Sequence, residues 1–236
     1  MKRTCLLSVL AAALASILPG AASAQAPTSY ALESATGLQL HNVAAEPATL
    51  HGKKGLRLTL AATAAPAPDL EQLAVFDGLE FSNGVIEAEI AGEPAAGAGQ
   101  GARGFVGIAF RLQADKKTYD AFYLRPTNGR ADDQERRNHA VQYISHPAWP
   151  WDRLRKETPS RYEAYVDLQP GLWTKIKLEV RGTRARLYVH DNEQPTLIVN
   201  DVKSGASAKG ALALWLGPGT LAHFRNLTVR SEPDTR

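Results

Sequence analysis

Residues 174–181 read TKIKLEVR, Gly182-Thr183 follows, and residues 184–190 read RARLYVH. Ile176, Leu178 and Val180 alternate with Lys175, Lys177 and Glu179, and Ala185, Leu187 and Val189 alternate with Arg184, Arg186 and Tyr188. A period of two puts successive side chains on opposite faces, so each run reads as a strand with one face buried. Two such runs around a two-residue, glycine-containing turn make a β-hairpin.

The same grammar extends along the chain. Further strand candidates are residues 38–43, 56–61, 84–90, 104–113, 119–125, 139–146, 196–199, 211–216 and 223–230. Turn residues punctuate them at Ser82-Asn83-Gly84, 114–117, Asp191-Asn192 and Gly217-Pro218-Gly219. No long stretch keeps a helical i, i+3, i+4, i+7 apolar pattern. Eleven antiparallel-type strands imply an all-β, two-sheet antiparallel sandwich of jelly-roll kind. The Ala/Gly/Pro-rich stretches 61–69 and 92–103 read as surface loops, not as domain boundaries.

The chain of 236 residues opens with an export-signal pattern. Lys2 and Arg3 precede an apolar run from Leu6 to Leu18, and Ala22-Ser23-Ala24 offers a small-residue cleavage site. Residues 1–24 are thus expected to be a signal peptide and residues 25–236 a single exported domain, periplasmic or secreted. No later apolar run is long enough to span a bilayer. The one cysteine, Cys5, lies in the signal, so the mature chain has neither disulfides nor thiolate chemistry. Losing Lys2 and Arg3 takes the basic residues from 27 to 25 against 24 acidic ones, a net charge of +1. That near-neutrality argues against a nucleic-acid partner.

Several stretches resemble concanavalin A-like lectin/glucanase domains. FSNGVIEAEI (81–90) resembles their early F-x-x-G-x-I-E-x-E-I strand, and GFVGIAF (104–110) their next central strand. WTKIKLEV (173–180) with ARLYV (185–189) resembles the hairpin of laminin-G-like and 3-keto-disaccharide hydrolase-like members. GALALW (210–215) and FRNLTV (224–229) match the closing pair. The resemblance spans residues 76–230 and implies the jelly roll. That group holds lectins, binding modules, hydrolases and lyases, so it implies carbohydrate recognition without choosing a reaction. It also raises structural calcium, for which the sequence has no dense Asp/Asn run. The E-x-D-x-x-E signature of laminarinase-like hydrolases is absent, since Glu87-Ala88-Glu89 lacks the third acid.

Site candidates come from strand parity and from the segment 136–155, RRNHAVQYISHPAWPWDRLR. Gly107, Ala109 and Arg111 share one face of their strand, and Tyr119, Tyr123 and Arg125 one face of the next. Paired, they predict small residues flanked by Tyr and Arg, a lining suited to a concave glycan groove. In 139–146, Gln142 and His146 are favoured for the groove, with His139 near the strand start. Trp149 and Trp151 sit in a proline-stiffened loop and suit stacking on sugar faces. The expected ligand-binding set is Arg111, Tyr123, Arg125, Gln142, His146, Trp149, Trp151 and Arg153. His139, His146 and Tyr143 are the catalytic candidates, and no metal ligand set is expected. Residues 103–161 carry twelve Lys/Arg against seven Asp/Glu, a local excess that suits an acidic glycan, although interleaved acids can neutralise it.

Three functions fit these features. The first is a carbohydrate-binding domain. The second is a carbohydrate-active enzyme: a glycoside hydrolase, a 3-keto-glycoside hydrolase-like protein, or a uronate-directed lyase. The third is a structural or protein-interaction module.

Overall fold

The computed structural model describes residues 26–63 and 70–232. The expected signal peptide and residues 64–69 of the first expected loop lie outside that range. Two antiparallel sheets pack face to face. The eight-stranded sheet runs in the order β13 (Leu197–Val199), β12 (Arg184–Val189), β11 (Thr174–Arg181), β6 (Asn83–Pro94), β15 (Thr220–Glu232), β4 (Lys53–Leu60) and β3 (Val43–Leu50). A short β1 (Thr28–Tyr30) also pairs with β15. The seven-stranded sheet runs β10 (Glu163–Ala164), β9 (Val141–His146), β8 (Tyr119–Leu124), β7 (Val106–Leu112), β14 (Gly210–Leu216), β5 (Leu73–Phe81) and β2 (Leu38–His41). This is the concanavalin A-like jelly-roll sandwich. The expected hairpin of residues 174–190 forms as β11 and β12, with Arg181 opposite Arg184.

The core follows the alternation. Phe81, Phe110, Phe122, Tyr143 and Tyr162 form a chain of ring contacts, with successive centroids 5.2–6.2 Å apart. Leu56, Leu58, Ile86, Ile90, Leu178, Leu187 and Phe224 are buried with them in one cluster. Fifteen strands form among the described residues, against eleven expected. β3 contains Pro47, which removes a ladder donor, and it lies at a sheet edge where that loss is tolerated. β5 is interrupted by a register shift against β14, and Gly78 within it has a left-handed φ of +66°. Two short helices, α1 (Gln134–Asn138) and α2 (Trp151–Glu157), were not expected. Asp133 caps α1 by accepting the Arg136 N–H at 2.8 Å.

Candidate functional site

A cleft of about 930 Å³ lies over the outer face of the seven-stranded sheet. Its floor is built around Gly107, which sits opposite Tyr123 on β8 and Trp215 on β14. With no side chain between them, the two rings meet across the glycine at 4.8 Å between centroids. A Cβ at Gly107 would lie 2.2 Å from the Phe122 carbonyl oxygen and 2.6 Å from Tyr123 Cβ. The small residues that sequence parity placed here thus leave room for an aromatic floor. Phe105 adds an edge-on contact to Tyr123 at 6.0 Å.

One end of the cleft is organised by Arg125, only 4% exposed. Its guanidinium donates to Glu163 Oε1 at 2.9 Å, Tyr123 Oη at 2.9 Å, Gln142 Oε1 at 3.1 Å and the His139 carbonyl at 3.2 Å. Arg155, from α2, donates Nε to Glu163 Oε2 at 3.0 Å and Nη2 to Oε1. Burial pushes the Glu163 carboxyl up, but hydrogen bonds from Arg155 and Arg125 outweigh it and hold the group below the usual range. The Trp151 ring lies over both guanidiniums, 5.8 Å from Arg125 Cζ and 4.7 Å from Arg155 Cζ. It remains 44% exposed and lines the cleft. His139 follows α1, with Nδ1 2.8 Å from Glu163 Oε2. That contact lacks hydrogen-bond alignment, because neither ring nitrogen finds a partner. Burial lowers the His139 pKa, Glu163 opposes this, and Arg155 and Arg125 lower it further, so the ring is neutral near pH 7.

The other end carries a different set. His146 Nδ1 lies 3.0 Å from Glu71 Oε1 and 3.1 Å from Tyr119 Oη. Tyr119 donates its hydroxyl to Glu71 Oε2 and accepts from Trp215 Nε1 at 3.0 Å. Burial, then the Glu71 charge, raise the Tyr119 pKa well above its ordinary value, so the hydroxyl keeps its proton. The Glu71 carboxylate orients the His146 ring through Nδ1, and that ring lines the cleft. Tyr119 opens β8 and Arg125 directly follows its last residue, six positions on, so the two ends lie roughly 20 Å apart.

The sequence-derived set divides accordingly. Tyr123, Arg125, His139, His146 and Trp151 line one cleft. Gln142 lies just beneath it, fully buried and bonded to Arg125. Four candidates lie elsewhere. Arg111 is 1% exposed and donates to the Ser82, Gly182 and Gly205 carbonyls and to Ser204, binding loops together at a sheet corner. Its φ of +56°, where β14 shifts register against β7, breaks the parity that had aimed it at the cleft. Tyr143 points into the sandwich, donating to Asp120 Oδ1 at 2.6 Å. Trp149 packs on the core, with Arg153 Cζ 3.9 Å and Lys203 Nζ 4.7 Å from its ring. Arg153 is engaged by Glu157 at 2.8 Å and the Ala148 carbonyl at 2.7 Å. Sequence reasoning missed Glu71, Glu163, Phe105, Arg103 and Trp215. Only long-range pairing brings these to the cleft, and no local spacing marks them.

Calcium finds no support in the donor set. Among the described residues no three His, Cys, Asp or Glu side chains converge as metal ligands. The acids beside the cleft are already engaged, half-buried Glu71 by Tyr119 and His146 and buried Glu163 by two arginines. Among the described residues no helix is long and apolar enough to cross a membrane.

No protein-family model and no curated protein matches the sequence. Solved structures do match in shape. A Bacillus subtilis protein of unknown function with a galectin-like fold superposes at a TM-score of 0.55 and 13% identity, over 90% of this chain and 99% of that one. The carbohydrate-binding module CBM66 from Bacillus subtilis gives 0.52 and 14%, over 82% and 98%. The Crh5 transglycosylase, solved with NAG, gives 0.51 and 12%, over 89% and 86%. At these identities the likeness is one of fold.

Proposed function

We propose that this chain is an exported, carbohydrate-recognising protein that binds an extended oligosaccharide along the cleft, with Trp151 as the stacking wall above a Tyr123–Trp215 floor. The observation that carries the reading is Trp151 itself. A large aromatic is held over two guanidiniums that are tied to a buried carboxylate, while its own surface stays open to the cleft. Such a preorganised ring loses little entropy when a sugar face stacks on it. The roughly 20 Å between the two polar ends suits a chain of sugar units better than a single one. A fold held in common with a carbohydrate-binding module and a transglycosylase supports the same class of ligand. Calorimetric titration of residues 25–236 with neutral and acidic oligosaccharides tests it. Trp151→Ala is expected to weaken a bound glycan tenfold or more, about 1.4 kcal/mol. Unchanged affinity in that variant would remove the wall from the site.

The Glu71–His146 pair favours a second reading, an enzyme acting on the bound glycan. An imidazole whose Nδ1 is oriented by a carboxylate, on a ring that lines a ligand cleft, is the arrangement of a general base. Incubating glycans that the protein binds, and assaying for reducing ends or unsaturated uronate, distinguishes the two. Product lost in His146→Asn supports catalysis. Binding without product from any glycan leaves the first reading alone.

A further inference from the structure

The arginines around the cleft are not equivalent, and sorting them by partner separates structural charges from available ones. Arg125 and Arg155 share Glu163, Arg153 is paired with Glu157, Arg130 with Asp167 and Arg161 with Asp201. Two that line the cleft have no ion-paired carboxylate among the described residues: Arg103 and Arg136. Neutral acceptors hold both. Arg103 Nη1 donates to the Gln100 and Ala102 carbonyls. Arg136 donates Nε to Asn128 Oδ1 at 3.0 Å, and Nη2 to Thr127 Oγ1 at 3.1 Å and the Thr127 carbonyl at 3.3 Å.

The two side chains are joined through one residue. Thr127 donates its backbone N–H to the Arg103 carbonyl at 3.3 Å and accepts Arg136 with its own carbonyl and hydroxyl. Residues 126–128 form a single 3₁₀ turn directly after Arg125. Asn128 Nδ2 and Arg125 Nη1 both donate to the His139 carbonyl, which locks the turn against the end of α1. Two guanidiniums are thereby fixed on one wall, with Nε and Nη2 of Arg103 and Nη1 of Arg136 left unused by the described residues. Their proximity registers as a lowered Arg103 pKa, caused by burial first and then by the Arg136 and Arg125 charges. Asp133 and Glu135 line the same rim, yet neither comes within ion-pair distance of either guanidinium. Asp133 is turned instead to the α1 backbone.

Like charges gathered without a counterion cost free energy in the empty site and regain it when an anion arrives. Fixed guanidinium forks also match planar or tetrahedral oxyanions in bidentate fashion. We infer that Arg103 and Arg136 form an anion subsite at one end of the cleft, recognising an oxyanion substituent of the glycan: a uronate carboxylate or a sulfate ester. This rests on the oligosaccharide reading above, and it adds the charge of the ligand and the end at which that charge is bound.

The test pairs ligands with variants. Oligogalacturonate and its methyl ester, and a sulfated galactan oligosaccharide and its desulfated form, are titrated into the wild-type protein, Arg103→Gln, Arg136→Gln and Trp151→Ala. Inorganic sulfate is tested separately by thermal shift at constant ionic strength, a readout that needs no glycan. At least one acidic ligand is expected to bind ten- to a hundredfold more tightly than its neutral counterpart, which is about one charged hydrogen bond or two. Each arginine variant should erase most of that difference, read as the acidic-to-neutral affinity ratio within the same variant. Sulfate should stabilise the wild type and not the double variant. Which acidic ligand gains identifies the carboxylate or the sulfate. Equal affinity for acidic and neutral partners, or a preference that survives both substitutions, overturns the subsite while leaving the Trp151-dependent cleft intact. Failure of every glycan to bind, with no sulfate effect, overturns both.

Discussion

Glu163 is the residue on which the cleft wall hangs, and Glu163→Gln measures how strongly. The carboxylate accepts from Arg125 and Arg155 and lies against His139, and its side chain is only 2% exposed. Glutamine keeps the volume but removes the charge and sets an amide N–H₂ against a guanidinium. Arg125 then keeps Tyr123, Gln142 and the His139 carbonyl as neutral partners, but its charge stays buried without compensation. Breaking one side of a buried pair costs about 3–5 kcal/mol. For a domain of this size, each kcal/mol lowers the melting temperature by about 2–4 °C, so the fall should be roughly 6–20 °C. Glu157→Gln is the matched control, because its Arg153 pair is nearly half exposed on both sides. Such a pair contributes about 0.5 kcal/mol, so that shift should stay within about 2 °C. Urea unfolding followed by tryptophan fluorescence should show the midpoint falling at constant m-value. A Glu163→Gln shift no larger than that of Glu157→Gln would refute the claim that burial makes this network structural. Because Trp151 rests on the same two arginines, the variant should also weaken glycan binding.

Three further outcomes follow from the geometry. Gly107→Ala forces a Cβ against the Phe122 carbonyl and Tyr123, so it should cost about 1–3 kcal/mol in denaturant unfolding and shift tryptophan emission as the Tyr123–Trp215 contact opens. Tyr143→Phe removes the donor to the fully buried Asp120 and should cost about 1–3 kcal/mol, with no effect on ligand titrations, since Tyr143 faces the core. The pH profile of the melting temperature should fall in two stages. His139 and His223 titrate below their ordinary 6.5 when folded, so the unfolded chain takes up protons first and stability declines as pH drops through 6.5. Glu163 is depressed below 4.5, so its contribution holds above that value and is lost at lower pH. His139→Asn should flatten the first stage, and an unchanged slope would contradict its assignment.

The sheets were legible where alternation ran uninterrupted. β11 forms with the bounds its pattern predicts, because each of its apolar side chains meets the opposite sheet. Parity also placed Tyr123 and Arg125 on the face that carries the cleft; for 139–146 it left the face open, and the structure turns His146 to the cleft with Gln142 just beneath it. It failed at Arg111, where one left-handed residue at a register shift turns the side chain away. It was silent on Glu71, whose His146 partner lies 75 residues away, and on Glu163, whose Arg125 partner lies 38 residues away and whose Arg155 partner comes from a helix the sequence read as a loop. The proline-rich segment read as a loop, yet it winds from Pro150 into α2. That short helix brings Trp151 to the cleft, while Trp149 goes to the core.

The unlike ends of the cleft have a consequence for how a polymer is read. A glycan chain has a direction, from its non-reducing to its reducing terminus. A track with guanidiniums at one end and an imidazole–carboxylate pair roughly 20 Å away presents different chemistry to each terminus. A chain laid in backwards would put every substituent against the wrong partner. If the cleft holds a glycan as proposed, it is a polarised track that distinguishes a sequence of sugars from the same sequence reversed. Oligomers too short to reach both ends lose that distinction and can slide between registers.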